Sequence, residues 1–153
     1  MNLKQKLQEE LKQSMLARDV LKTSVLRMVI SAINYYEIKK GGAGYEATDE
    51  DVLSVIQKEV RQRKDSIEQF QKGRRQDLVD KETEELELLQ KYLPPQMSEE
   101  EIKSLVKETI AKTAASSMSD IGKVMGALMP KVKGKADGAI ISKIVKEQLS
   151  SPS

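Results

Sequence analysis

The sequence lacks cysteine, histidine and tryptophan, and only 3% of its 153 residues are aromatic. Without cysteine there is neither a disulfide framework nor thiolate chemistry. Without histidine the chain lacks the commonest general base and the commonest metal ligand. We find no catalytic signature in the sequence, and we predict neither a cofactor nor a bound metal.

Long apolar runs are also missing. None approaches the ~20 residues that a membrane-spanning helix needs, so we expect no membrane association. The first residues, MNLKQKLQEELKQ, contain no apolar segment of a signal peptide. Together with the lack of cysteine, this predicts a soluble cytoplasmic protein. The length suits one domain or two small modules.

Charge is abundant and unevenly distributed. Residues 1–75 carry 15 basic and 11 acidic side chains, residues 76–101 carry 2 and 9, and residues 102–153 carry 9 and 4, for net charges of +4, −7 and +5. The ordinary interpretation is that these charges solvate helix surfaces. The alternative is two basic lobes on either side of an acidic helix, a pattern compatible with binding a polyanion.

Apolar residues recur every three to four positions in the first part of the chain, which predicts amphipathic helices. Four are predicted there, over residues 2–17, 20–40, 48–71 and 76–93. Gly73 is predicted to end the third of these helices.

Individual side chains support these helices. Thr48 and Asp51 have the spacing of a capping box at the start of the third helix. Arg63 interrupts the apolar face of the same helix, where an apolar residue is expected. We predict that it pairs with an acidic residue of the fourth helix while its stem packs along the face.

Pro94-Pro95 forces an extended break in the chain. We therefore divide it into an N-terminal helical domain, residues 1–95, and a C-terminal module, residues 96–150. Three further helices are predicted in the second part, and no segment alternates in the manner of a strand. The predicted fold is all-α, with an N-terminal four-helix domain followed by a C-terminal three-helix module.

Two short patterns fail as binding sites. A P-loop ends in Gly-Lys-Ser/Thr, but Ala136 follows Gly134-Lys135, and Met129 stands where the first glycine belongs. The acidic residues between positions 77 and 87 could bind a divalent cation, but helical spacing directs most of them outward. We interpret them as solvating charges.

The strongest candidate for a binding surface lies between Asp120 and Asp137, a stretch with four lysines and no acidic residue. We call residues 131–135 the lysine turn, because they join the last two predicted helices. Lysines bind phosphates, whereas this module lacks the aromatic residues that stack on bases. The sequence predicts recognition of shape and phosphate, with the candidate nucleic-acid-binding residues Lys123, Lys131, Lys133, Gly134 and Lys135.

Other residues of this stretch have structural interpretations. Gly134 is predicted to supply a positive φ angle, and Asp137 to cap the last helix. The methionines are spaced as core residues of a helix rather than as the lining of a partner groove. They are Met118, Met125 and Met129.

Four segments, in this order, resemble the GatB/YqeY family: TSVLRM, KEVRQRKDSIEQF, YLPPQMSEEEI and DIGKVMGALMPKVKGKADG. The resemblance covers residues 2–149 and implies an all-helical fold. It also implies that the C-terminal module is similar to the tail domain of the B subunit of tRNA-dependent amidotransferases, which contacts tRNA. The catalytic cradle of that subunit has no counterpart here. The residues that match the tail-domain motif are Gly122, Lys123, Met125, Gly134, Ala136 and Asp137.

The basic module and the resemblance together predict a non-catalytic helical module that binds tRNA. One alternative is an adaptor that docks onto an amidotransferase or an aminoacyl-tRNA synthetase. Another is an accessory to glutamine-dependent carbon–nitrogen ligase activity, in which the chemistry belongs to the larger enzyme.

Overall fold

A computed structural model describes residues 1–150 of the chain. These residues form seven α-helices, one short 3-10 turn at Met118–Asp120 and no strand, so the all-α class is confirmed. None of the described helices is long and apolar enough to cross a membrane. The helices are α1 Leu3–Leu16, α2 Val20–Gly41, α3 Asp49–Lys72, α4 Gln76–Gln90, α5 Glu99–Thr113, α6 Ile121–Val132 and α7 Gly138–Ser150.

The chain divides into two compact units, Met1–Leu93 and Pro94–Ser153. In the N-terminal unit, α1 packs on α2 and α3 packs on α4. Val25, Val29 and Ile33 of α2 follow a four-residue spacing and are almost completely buried. The core of this unit contains, among others, Leu7, Val25, Val29, Ile33, Val52, Ile56 and Leu89.

Gly41 ends α2 at a point where the chain turns back on itself. A Cβ atom at this position would lie 2.7 Å from the Cβ atom of Tyr45. Only glycine therefore allows Tyr45 to fold over the end of α2, and this position starts the connection to α3.

Three helices end in the same hydrogen-bond pattern, a Schellman motif. Its left-handed position is occupied by Arg18 after α1, by Arg74 after α3 and by Ala114 after α5, with φ angles of 57°, 57° and 54°. Gly73 ends α3, as predicted, and its φ of −82° is ordinary. Arg74 adopts the left-handed conformation instead, because the amide of Arg75 bonds to the carbonyl of Phe70 at 2.9 Å.

In the C-terminal unit, α5 packs against both α6 and α7. Ser98 and Glu101 form a capping box at the start of α5. At the start of α7, Oδ1 of Asp137 accepts a hydrogen bond from the amide of Ala139 at 3.1 Å, as predicted. The buried apolar residues are Ile102, Val106, Val124, Leu128, Val132, Ala136, Ile141, Ile144 and Val145.

The distribution of charge between the two structural units differs from that between the sequence segments. The acidic segment, residues 76–101, is not one helix, because its last three carboxylates belong to the first turn of α5. The N-terminal unit thus has 17 basic and 17 acidic residues, and the C-terminal unit has nine lysines and seven acidic residues. The basic character of the second unit is local rather than general.

Candidate nucleic-acid interface

The structure places the first two residues of the lysine turn, Lys131 and Val132, at the end of α6 instead of in the connection, and exposed and buried residues alternate along the turn. Its three lysines all point to solvent, while the residues between and after them are buried. This alternation anchors the segment on the core of the C-terminal unit and directs three cations outward. The exposed residues are Lys131, Lys133 and Lys135, and the buried ones are Val132, Gly134 and Ala136.

The backbone of the turn is held by hydrogen bonds within it. The carbonyl of Val132 accepts bonds from the amides of Lys135 at 2.8 Å and Ala136 at 3.1 Å. Gly134 has a φ of 77°, so its predicted structural role is confirmed. A residue with a Cβ atom would be strained at this point.

A second set of bonds comes from the extended segment before α5. Nε2 of Gln96 donates to the carbonyl of Gly134 at 2.9 Å, and the amide of Met97 donates to the carbonyl of Lys135 at 2.9 Å. Sequence reasoning missed both residues. The Pro94-Pro95 pair could have indicated these contacts. It makes the following segment extended, and the backbone groups of an extended segment must find hydrogen-bond partners elsewhere.

Carboxylates border the lysines. The hydrogen bond from Lys112, with an Nζ–Oε1 distance of 2.8 Å, lowers the pKa of Glu108, and the charge of Lys131 lowers it further. Backbone hydrogen bonds from Ser116 and Ser117 lower the pKa of Asp120, to which Lys123 adds a smaller effect. Lys131 and Lys123 are thus close enough to Glu108 and Asp120 to interact electrostatically with these carboxylates.

A groove of about 580 Å³ lies along the first turns of α5 and is lined by Glu100, Glu101 and Glu108. Met97, whose amide bonds to the lysine turn, lines the same groove. These carboxylates repel phosphate. An anion can therefore approach the lysine turn on the α6–α7 side but is disfavoured along α5.

The exposed surface of α6 contains two glycines, Gly122 and Gly126. A Cβ atom at either position would meet nothing within 4 Å, so packing inside the unit does not explain them. Gly134 thus has a structural role in the turn, whereas these two glycines have none that is visible within the unit. Such positions allow another backbone to approach closely.

The methionines of this region divide into two groups. Met125 and Met129 pack against the core of the C-terminal unit, as predicted. Met118 is 43% exposed in the 3-10 turn, so its assignment to the core was wrong. The turn separates it from the regular spacing of α6, which begins at Ile121.

In the N-terminal unit, the most highly connected polar group is the buried carboxylate of Asp51. Oδ1 accepts hydrogen bonds from the hydroxyl of Tyr36 at 2.8 Å and from Nζ of Lys40 at 3.0 Å. Oδ2 accepts from the hydroxyl of Tyr45 at 2.6 Å and from the amide of Thr48 at 3.0 Å. Burial opposes ionisation, but these four donors outweigh it and hold the pKa of Asp51 well below its usual range.

This network ties the α2–α3 connection to both helices. A neighbouring carboxylate, Glu37, accepts bonds from Nζ of Lys4 and from the amide of Ala47, each at 2.7 Å. These two bonds lower its pKa despite burial. Every carboxylate oxygen of Asp51 and Glu37 is occupied, so the clusters stabilise the fold and offer no free base.

Arg63 is a further buried charge, with 3% exposure. Its Nη1 donates to Oε2 of Glu59 at 3.0 Å. Its Nε lies 3.5 Å from Oε2 of Glu85 on α4, an ion-pair distance without a formed hydrogen bond. The predicted pairing with the fourth helix is confirmed. Within residues 1–150, no three carboxylates gather in a way that could hold a metal ion.

Comparison with known proteins identifies the family. The family described as Yqey-like protein matches residues 4–149. The chain belongs to the YqeY-like family. A relative from Saccharomyces cerevisiae (strain YJM789), "Altered inheritance of mitochondria protein 41, mitochondrial", is 33% identical over 150 residues, which cover 92% of this chain and 80% of the relative.

Proteins of the same name occur in other fungi. The relative from Kluyveromyces lactis is 38% identical over 74% of this chain, and that from Pyrenophora tritici-repentis is 39% identical over 65% of it. The matched segment spans only 61% and 56% of the length of these two relatives. Both are longer than the part they share with this YqeY-like chain.

The names of these relatives correct one prediction. All three are mitochondrial proteins by name, which contradicts the cytoplasmic location predicted from the sequence. That prediction was wrong because its two grounds do not separate these compartments. Organelle transit peptides are amphipathic and have no apolar core, and the lack of cysteine marks no particular compartment.

Proposed function

We propose that this YqeY-like protein is a non-catalytic helical protein that binds tRNA through the lysine turn. The observation that carries the proposal is the arrangement of Lys131, Lys133 and Lys135, exposed on a backbone that four hydrogen bonds hold in place. Lysines on a held backbone contact phosphates with less loss of conformational entropy than lysines on a mobile loop. The resemblance to the amidotransferase tail domain supports tRNA as the polyanion.

Recognition by this surface would depend on phosphates and shape. The four tyrosines and the single phenylalanine all precede residue 93, so the C-terminal unit offers no ring on which a base could stack. Gly122 and Gly126 add a strip of α6 on which a sugar–phosphate backbone could lie closely. On this proposal, any amide-transfer chemistry belongs to a partner enzyme.

The test is a mobility-shift titration of a tRNA with wild type and with Lys131→Ala/Lys133→Ala/Lys135→Ala. We expect the triple variant to bind at least about tenfold more weakly at moderate salt. The matched control is Lys12→Ala/Lys58→Ala/Lys64→Ala, which removes three exposed lysines from the N-terminal unit. Equal weakening in both variants, or no binding by wild type, would reject the proposal.

A further inference from the structure

The N-terminal unit has an open groove at the corner between α1 and α2. Its volume is about 780 Å³, and it lies entirely within the segment from Met15 to Ser31. It is far in sequence from the lysine turn, and neither the family nor the proposed tRNA binding accounts for it. Its principal lining residues are Met15, Arg18, Val20, Arg27 and Met28.

The groove exposes large apolar side chains. Of the lining residues, Val20 is 81% exposed, while Met15 and Met28 are 44% and 45% exposed. Single exposed apolar residues are ordinary, but a contiguous set around a concavity marks an interaction surface. Methionine adapts its shape to different partners, which suits both sides of this groove.

Two of the three charged side chains that line the groove are arginines, and the third is Asp19. Within residues 1–150, neither Arg18 nor Arg27 pairs with a carboxylate, and Nη2 of Arg27 instead lies 3.3 Å from Sδ of Met15. Asp19 also lines the groove, but its Oδ1 accepts the amide of Lys22 at 3.1 Å as the cap of α2. Two cations with no anionic partner therefore border the apolar surface.

The shape of the groove suits a helix. Ser24 and Ser31 lie seven residues apart on α2, so they share one face of the helix. Because serine is small, this face leaves space along α2 for a bound helix. Beneath them, the hydroxyls of Ser14 and Thr23 bond to each other at 2.9 Å. These two hydroxyls are thus satisfied, and the apolar side chains of Met15, Val20 and Met28 lie among the polar residues that line the groove.

We propose that this groove docks an acidic amphipathic helix of a partner protein. Apolar side chains of that helix would pack between Met15, Val20 and Met28, and its carboxylates would pair with Arg18 and Arg27. This is the helix-in-groove mode of recognition, with anchors at helical spacing. Charge complementarity selects an acidic partner rather than a basic one.

Two other occupants fit less well. In a second copy of the chain, α4 offers exposed carboxylates at Asp77, Asp80, Glu84 and Glu87, but none of its apolar residues is among the exposed large side chains. It would leave the apolar side chains of the groove uncovered. A lipid surface is matched by a convex apolar face, whereas this site is concave.

The test is a selection from a displayed library of random peptides of about 16 residues, long enough for roughly 24 Å of helix. The full chain is the target. We expect enriched peptides to have apolar residues at positions i, i+3 or i+4, and i+7, with a net negative charge. No enrichment, or enrichment of neutral or basic peptides, would overturn the proposal.

Two variants then examine one enriched peptide by fluorescence anisotropy. Arg18→Ser/Arg27→Ser removes the cations, and Val20→Ser/Met28→Ser removes apolar surface. Each should weaken binding about tenfold. Because these side chains are exposed, circular dichroism should show an unchanged fold.

The matched control is Ile38→Ser/Lys39→Ser, an exposed apolar–basic pair on α2 outside the groove. It should bind like wild type, and equal weakening in this control would reject the site. Sedimentation velocity and flotation with phosphatidylserine vesicles complete the test. Dimerisation or vesicle binding that both groove variants abolish would assign the groove to a second copy or to lipid, and would overturn the proposal.

Discussion

The two units place their polar groups differently. The N-terminal unit buries six polar or charged side chains, whereas the C-terminal unit buries one, Thr109, whose hydroxyl bonds to the carbonyl of Leu105 at 2.8 Å. All other buried side chains in the described part of the C-terminal unit are apolar. The six in the N-terminal unit are Ser14, Glu37, Asp51, Gln57, Arg63 and Glu85.

Charged side chains therefore have different roles in the two units. In the N-terminal unit, buried charges are held by hydrogen bonds and ion pairs. They contribute to a specific arrangement of helices, and breaking a pair is costly. In the C-terminal unit, the lysines remain on the surface, where an anionic ligand can reach them. The stability of the first unit should depend on ionisation, and that of the second on apolar packing.

Spectroscopy can observe the units separately. Tyr35, Tyr36, Tyr45 and Tyr92 all lie in the N-terminal unit, and the sequence has no tryptophan. Tyrosine fluorescence therefore follows the unfolding of that unit alone. Far-ultraviolet circular dichroism follows the helices of both.

Arg63→Ala should have the largest effect, because it leaves the buried carboxylate of Glu85 without its partner. We expect a decrease of about 3–5 kcal/mol in the free energy of unfolding of the N-terminal unit. Urea titration followed by tyrosine fluorescence measures it. Arg63→Met/Glu85→Met should recover most of this stability, and a double variant as unstable as the single one would contradict the ion-pair account.

Acid should destabilise the N-terminal unit more than the C-terminal unit. The pKa values of Asp51 and Glu37 are lowered in the folded state, so their stabilisation is complete above the unfolded pKa values and disappears as pH falls through the folded ones. Between about pH 5 and about pH 3, the urea midpoint from tyrosine fluorescence should fall steadily. If the protection of the C-terminal amides from hydrogen exchange fell in parallel with that midpoint, the predicted contrast between the two units would be wrong.

Gly126→Ala should stabilise the C-terminal unit by about 1 kcal/mol, because glycine is unfavourable inside a helix and the new methyl group meets nothing. The circular dichroism transition should shift upward while the fluorescence transition stays unchanged. If α6 approaches an RNA backbone closely, the same variant should bind tRNA more weakly. Greater stability with unchanged binding would exclude Gly126 from the interface.

Ala114→Gly should have the smallest effect, a gain of about 0.5–1 kcal/mol in the C-terminal unit. Ala114 is left-handed, with a φ of 54°, a conformation that glycine adopts without strain. Thermal unfolding followed by circular dichroism measures the gain. A destabilised variant would mean that the Ala114 methyl group makes a contact more valuable than the relief of strain.

Sequence periodicity predicts the helices well because each helix buries one apolar stripe. The capping boxes at Thr48 and Ser98 could also be predicted, since their partners lie three residues away. Helix ends were harder. Gly73 ends α3 as predicted, but the left-handed residue that follows is Arg74, because the hydrogen-bond register of the last turn decides the position.

Tertiary polar contacts could be predicted only in part. The pairing of Arg63 with α4 followed from a charge on an apolar face. The Asp51 network did not, because its donors Tyr36 and Lys40 come from another helix and Tyr45 from a connection without periodicity. Periodicity alone would place Met28 on the inner stripe of α2, but it lies at the edge of that stripe and lines the groove.

The position of the lysine turn in the sequence could be predicted, but its tertiary contacts could not. The run of lysines without acidic residues marks it in the sequence. Its attachment to Gln96 and Met97, and the carboxylates of α5 nearby, depend on how three helices pack. Net charge over a segment therefore overstated the basic character of the C-terminal unit.

The salt dependence of tRNA binding tests the central proposal most directly. The slope of log K against log salt concentration should become less negative by roughly 2–3 in Lys131→Ala/Lys133→Ala/Lys135→Ala, about 0.7–0.9 for each phosphate that the variant no longer neutralises. Lys12→Ala/Lys58→Ala/Lys64→Ala should keep the wild-type slope. If the lysine-turn variant also keeps it, the lysine turn does not contact phosphate and the proposal is wrong.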